Sequence, residues 1–132
     1  MTKRIEKTIE MTKAQWDKWE KHLYSGKIKQ CESILIDREG AMCCLGVLQF
    51  ALEGKVERNS GYPSSSFMER NNIVFRDEWG NDLTSDGSGQ ISPYCTGGYA
   101  NQLNDELKLS FKQIARRLKS RVKFIKPKKI SS

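Results

Sequence analysis

Residues 42–52, MCCLGVLQFAL, form the densest apolar run of the chain, with Gln49 its one strongly polar side chain. The protein has 132 residues, 37% of them hydrophobic and 30% charged, which suffices for one domain with a modest core. A run this apolar therefore has to lie inside. Its length and the following Gly54 predict a helix from about Cys44 to Glu53, apolar almost all round and hence central to the fold. Cys43, Cys44 and Gly46 are small and would let neighbouring elements come close. Leu45, Leu48, Phe50 and Leu52 would each contribute roughly 1.5–3 kcal/mol of burial.

The paired thiols raise two chemical alternatives. Zinc needs four ligands converging tetrahedrally, usually with a gap of two to four residues between paired cysteines. Adjacent cysteines diverge on a helix and oppose on a strand, and only Cys31, Cys95 and the single His22 could complete a set. A catalytic thiolate needs a base or a helix N-terminus beside it. Cys44 and His22 could supply one, but Met42, Leu45 and Val47 predict an apolar surrounding that raises a thiol pKa. The sequence reading is of buried, reduced thiols in a scaffold, with no metal, no cofactor and no catalytic residue.

Elsewhere local signals are clear at both ends. Thr12 and Gln15 form a capping box for a helix presenting Trp16, Trp19 and Leu23 on one face and stopping near Gly26. Ser110 and Gln113 form a second box, for a helix with Phe111, Ile114, Ala115, Leu118 and Val122 on its apolar face. Tyr99, Leu103 and Leu107 space a helix before it. Residues 31–44 read as strand, turn and strand about DREG. Residues 1–11 could be a short edge strand or a lead-in. From Lys55 to Gly98 the chain is rich in Gly, Ser, Asn and Asp, and NIVFRDEW is its one strand candidate, entering a hairpin.

The expected fold is α+β: a single compact domain over residues 1–124, with three or four helices around the central buried helix at about 44–53. One or two small antiparallel hairpins and a long irregular middle segment complete it, and residues 125–132 are expected to form a basic flexible tail. No stretch approaches the roughly 20 apolar residues of a membrane span, and the start lacks a signal peptide's apolar core, so the setting expected is cytoplasmic.

Charge is segregated. The net charge is +7, yet residues 112–132 hold nine Lys or Arg and no acid, leaving 14 basic against 16 acidic groups in the first 111. Such an end can meet phosphates, an acidic partner or an anionic membrane surface, or remain a solvated tail.

Three segments in this order, W..HLYSGKIKQ, IDREGAMCCLGVLQFA and LNDELKLSFKQIARRL, resemble a group of small tailed-bacteriophage proteins that has no settled function. The pattern is a Trp followed by Leu-x-Ser-Gly and Gln, a Cys-Cys-Leu-Gly-Val-Leu core, and Asn-Asp followed by Ser-Phe and Ile-Ala. It covers about half the chain. The shared polar positions are Gln30, Asn104 and Asp105, and the shared apolar ones Leu45, Val47, Leu48, Phe111 and Ile114. The resemblance implies a phage gene product acting in the host cytoplasm. The chain departs from the pattern in its basic C-terminus and at Glu106 to Leu109, so a function carried by that terminus is not inherited.

Two function classes follow. The first is a non-enzymatic phage accessory protein, for counter-defence, that binds and sequesters a host nucleotide-derived signal or a host defence protein. Thr96, Gly97 and Gly98 precede a helix and could cradle a phosphate, or simply cap it. Tyr94 or Tyr99 offers a stacking face, Asn104 and Asp105 at the helix end either close a turn through local backbone bonds or supply donors and acceptors for a base or ribose, and Arg116 or Arg117 a phosphate partner. The second is nucleic-acid binding by the C-terminal cations Lys119, Arg121, Lys123, Lys126, Lys128 and Lys129. SFKQIARRL resembles the first helix of a helix-turn-helix, but no glycine turn or recognition helix follows it.

Overall fold

The computed structural model describes residues 8–32, 34–58, 63–76, 103–104 and 107–127. Among them are four helices, α1 (Lys13–Tyr24), α2 (Cys44–Glu53), α3 (Ser65–Asn71) and α4 (Phe111–Lys119). Three short strands, β1 (Ile9–Met11), β2 (Val74–Phe75) and β3 (Val122–Phe124), make one mixed sheet in the order β2-β1-β3. The α+β class expected from the sequence is the one found, and no described helix is long and apolar enough to cross a membrane.

Both capping boxes form. Thr12 accepts from the Gln15 N–H at 3.1 Å and its own N–H donates to the Gln15 side chain at 2.9 Å. Ser110 and Gln113 make the same reciprocal pair at 3.3 and 2.9 Å. Each pair satisfies two backbone donors that a helix start leaves unpaired. α2 ends as expected, at Gly54 in the left-handed conformation (φ 72°), which its missing side chain permits.

α2 is the middle of the molecule. Residues Ala41 to Gln49 are buried without interruption. α1 packs along α2 with Trp16, Trp19 and Leu23 inward, and it also packs on α4. The two Trp rings meet edge to face, with centroids 5.5 Å apart. Phe111, Ile114, Ala115 and Leu118 of α4 complete the core.

Several long-range features depart from the expectations. The N-terminal strand is central in the sheet, antiparallel to β2 (Ile9 opposite Phe75) and parallel to β3 (Ile9 opposite Val122). Its neighbours come from far along the chain, which no local pattern reveals. Val122 belongs to β3 and not to the last helix, because α4 stops at Lys119 and the Arg121 carbonyl accepts from Ile9 N–H at 2.9 Å. Val74 and Phe75 join β1, and any hairpin after them lies outside the described residues. The strands expected over 31–44 reduce to isolated bridges of Met42 with Ile36 and with Gln30. The turn between Ile36 and Met42 is as expected: Asp37 Oδ1 accepts from the N–H groups of Glu39 and Ala41, both at 2.9 Å, and Gly40 takes φ 87°. Helix α3 lies where the sequence predicts only irregular chain. Its local signals are Ser64, which caps Phe67 N–H at 3.2 Å, and Asn72, left-handed at its end.

Candidate functional site

The paired cysteines belong to the core cluster. Both are fully buried, and the first turn of α2 is held from outside the helix. Cys43 is the N-cap residue and its side chain makes no capping bond. The missing acceptor comes from 60 residues on: Asn104 Oδ1 accepts from the Cys44 N–H at 3.2 Å and from Gln30 Nε2 at 2.9 Å. Asn104 Nδ2 donates to the Cys31 carbonyl at 2.8 Å, and Gln30 Nε2 also donates to the Leu109 carbonyl at 2.8 Å. One buried carboxamide thereby joins the 30–31 segment, α2 and the approach to α4. Trp19 Nε1 adds a bond to the Cys44 carbonyl at 3.0 Å.

Gly46 shows how tightly α2 is enclosed. A Cβ placed there would lie 2.0 Å from the Leu35 carbonyl oxygen, closer than any side chain tolerates. Backbone therefore rests directly on backbone, the close approach that the small residues of this segment foretold. Farther along, buried Gln49 accepts from the Glu57 N–H at 2.9 Å and donates to the Glu57 carboxylate, which also accepts from Ser64 N–H at 3.0 Å. At the end of α2, Glu53 bonds Arg70 at 2.9 Å and Asn71 at 3.0 Å. The Arg70 hydrogen bond foremost, with Asn71 and against partial burial, holds the Glu53 carboxyl below the usual glutamate range.

The residues singled out for a small-ligand site fall in three groups. Tyr94, Thr96, Gly97, Gly98, Tyr99 and Asp105 lie outside the described residues, as do Cys95, Lys128 and Lys129. Asn104 is 1% exposed, with both polar atoms of its carboxamide engaged by protein. Arg116 and Arg117 are exposed on α4. Of the two groups that thiol chemistry would need, Cys44 is inside the core, while His22 lies at the surface, its Nδ1 2.8 Å from the Lys18 carbonyl and its ring beside Phe50. Among the described residues no cluster of three His, Cys, Asp or Glu could hold a metal ion.

The cations form a more coherent set. α4 turns its apolar side to the core, and Lys112, Arg116 and Lys119, spaced i, i+4 and i+7, run as a stripe along one flank of its exposed face, with Arg117 on the other flank. None makes an ion pair among the described residues. Cations in the last turn of a helix complement its dipole, which accounts for Arg116, Arg117 and Lys119. Lys112 is different: at the second helical position it meets the positive end of the dipole and a like charge at i+4, both unfavourable by a few tenths of a kcal/mol.

Beyond α4, β3 replaces the recognition helix that groove reading would need. Lys123 and Lys126 are exposed, and Arg121 is half-buried. Lys123 stands opposite Glu10 in the β1 ladder, a cross-strand neighbour of opposite sign. Phe124, which carries no sequence signal of function, is 48% exposed with Lys13 Nζ 5.6 Å from its ring centroid. An exposed aromatic among lysines is the arrangement on which single-stranded bases stack.

No protein-family model matches the chain, and no curated protein or solved structure matches it either.

Proposed function

We propose that the protein is a non-enzymatic nucleic-acid-binding accessory protein that holds phosphates along α4 and stacks a base on Phe124. The observation that carries this reading is the Lys112, Arg116, Lys119 stripe, whose mutual repulsion and unfavourable first-turn lysine a bound polyanion would relieve. From residue 107 to the end of the chain there is no acidic side chain to neutralise it. A phage origin and a counter-defence role in the host cytoplasm belong to the same proposal and rest on the sequence likeness alone.

Fluorescence anisotropy with labelled single-stranded DNA, duplex DNA and RNA, across roughly 50–200 mM salt, tests it. The triple substitution Lys112→Gln, Arg116→Gln, Lys119→Gln should weaken binding and flatten the log–log salt slope by about one for each phosphate no longer neutralised. Phe124→Ala should weaken single strands far more than duplex, by about 1–3 kcal/mol per stacked base. Unchanged affinity and slope in the triple variant would refute the reading. Deleting the chain beyond Lys119 is a poor test, because it removes β3 from the central strand.

A further inference from the structure

A groove of about 530 Å³ opens at the C-terminal end of α1, and no residue of α4 lines it. Its floor is apolar: Ile28, Met42 and Phe50, with the His22 ring tilted 50° to Phe50 at a centroid distance of 5.7 Å. The His22 Nδ1 lies 2.8 Å from the Lys18 carbonyl, which only accepts, so Nδ1 is the donor there and Nε2 is the ring nitrogen not engaged by the helix. Around this floor stand Lys21, Lys27 and Lys29. Lys29 is 3.6 Å from Glu39 in a pair about three-quarters exposed on both sides, which is too solvated to hold either tightly. Lys21 and Lys27 have no ion-pair partner among the described residues.

Helix-dipole complementarity explains Lys21 and His22, which lie in the last turn of α1. It does not explain Lys27, beyond the helix, or why three cations against one carboxylate surround an aromatic, half-buried floor. The size lies within the usual range for small-molecule sites, as does the combination of an apolar body and a few polar groups.

We propose that this groove binds a small planar aromatic anion, its ring laid against Phe50 and His22 and its phosphate or carboxylate held by Lys21 and Lys27. A nucleoside phosphate and an aromatic carboxylate share that chemistry. The site is independent of the α4 stripe, and either can fail without the other.

Titration of the full chain, followed by amide chemical shifts in NMR, decides it. The probes are adenosine 5′-monophosphate, indole-3-acetate, adenosine and inorganic phosphate. At least one of the first two should move the amides of 21–29, 39–42 and 50, and should bind at least about tenfold more tightly than adenosine or phosphate alone. Which of the two does so distinguishes the sources. Lys27→Glu, at an exposed position, should weaken that probe about tenfold or more with an unchanged unfolding midpoint, and Phe50→Leu should weaken it while keeping most of the apolar volume. The triple Gln variant of α4 should bind it as the parent does. No shift at these amides with millimolar probe, shifts confined to α4, phosphate binding as tightly as either aromatic anion, or indifference to Lys27→Glu would each overturn the proposal.

Discussion

Helices α2 and α4 have ten and nine residues and are built on opposite terms. α4 is complete in itself: it carries its own capping box, presents apolar residues on one side and spreads cations over the other. α2 carries no charge until Glu53, has no side-chain cap of its own, and depends on Asn104, Trp19, Leu35 and Glu57 from four other parts of the chain. A helix whose first turn is fully buried has nowhere to hydrate its orphan N–H groups, so the surrounding structure must supply acceptors. A helix at the surface can choose its outer residues for reasons other than folding. Residue identity in the first two turns of α2 is therefore set by packing, a constraint that the outside of α4 does not share.

That contrast can be broken by substitution. The largest effect is expected from Gly46→Ala, where the new Cβ meets the Leu35 carbonyl and only a shift of backbone can make room. Urea unfolding should show a loss of about 3 kcal/mol or more. A variant as stable as the parent would mean that α2 is not held as described. Next comes Asn104→Ala, which strips partners from the Cys44 N–H, the Cys31 carbonyl and the Gln30 amide at once. A loss of about 2–4 kcal/mol is expected, and a loss below about 0.5 kcal/mol would return Asn104 to the role of a ligand-binding group.

On the other side of the comparison, the Gln variant of Lys112, Arg116 and Lys119 should change stability by no more than about 1 kcal/mol, because relief of the like-charge pair and of Lys112 at the helix start opposes the loss of two cations that complement the dipole at its end. A clear destabilisation would show that these cations serve the fold. The smallest effect is expected at the junction of α2 and α3. With its pKa lowered in the folded state, Glu53 contributes stability in full above the ordinary glutamate value of about 4.3, and that contribution is lost as the pH falls through the lowered value. Glu53→Gln should thus be slightly less stable than the parent near neutrality and equal to it in strong acid, in thermal scans taken across that range.

Much of the local structure is legible in the residues. The two capping boxes, the span of α2 to Gly54, the tryptophan face of α1 and the DREG turn all depend on groups within a few positions of one another, where spacing alone states the geometry. The small residues at 43, 44 and 46 also announce a close approach, without saying to what. The candidate sites are less legible. Asn104 has the sequence character of an end-of-helix residue with local or ligand bonds, and its real partners lie 60 to 74 residues away. Phe124 carries no motif, and the groove residues come from separate stretches, 21–29, 39–42 and 50, that only the fold brings together.

By itself, the sequence determined where three of the helices form and where they begin, that the run from residue 42 goes inside as far as Gln49, and that positive charge gathers at the C-terminal end. These follow from short-range hydrogen bonding, periodicity and solvation, which act between near neighbours. Only the tertiary structure decided that residues 9–11 form the middle strand, that Val122 leaves the helix for the sheet, that one asparagine closes the start of α2, and that His22 meets Phe50 beneath a ring of lysines. Each of those depends on which distant segment arrives to satisfy a buried donor or cover an apolar side chain, and a chain records that choice only once it is folded.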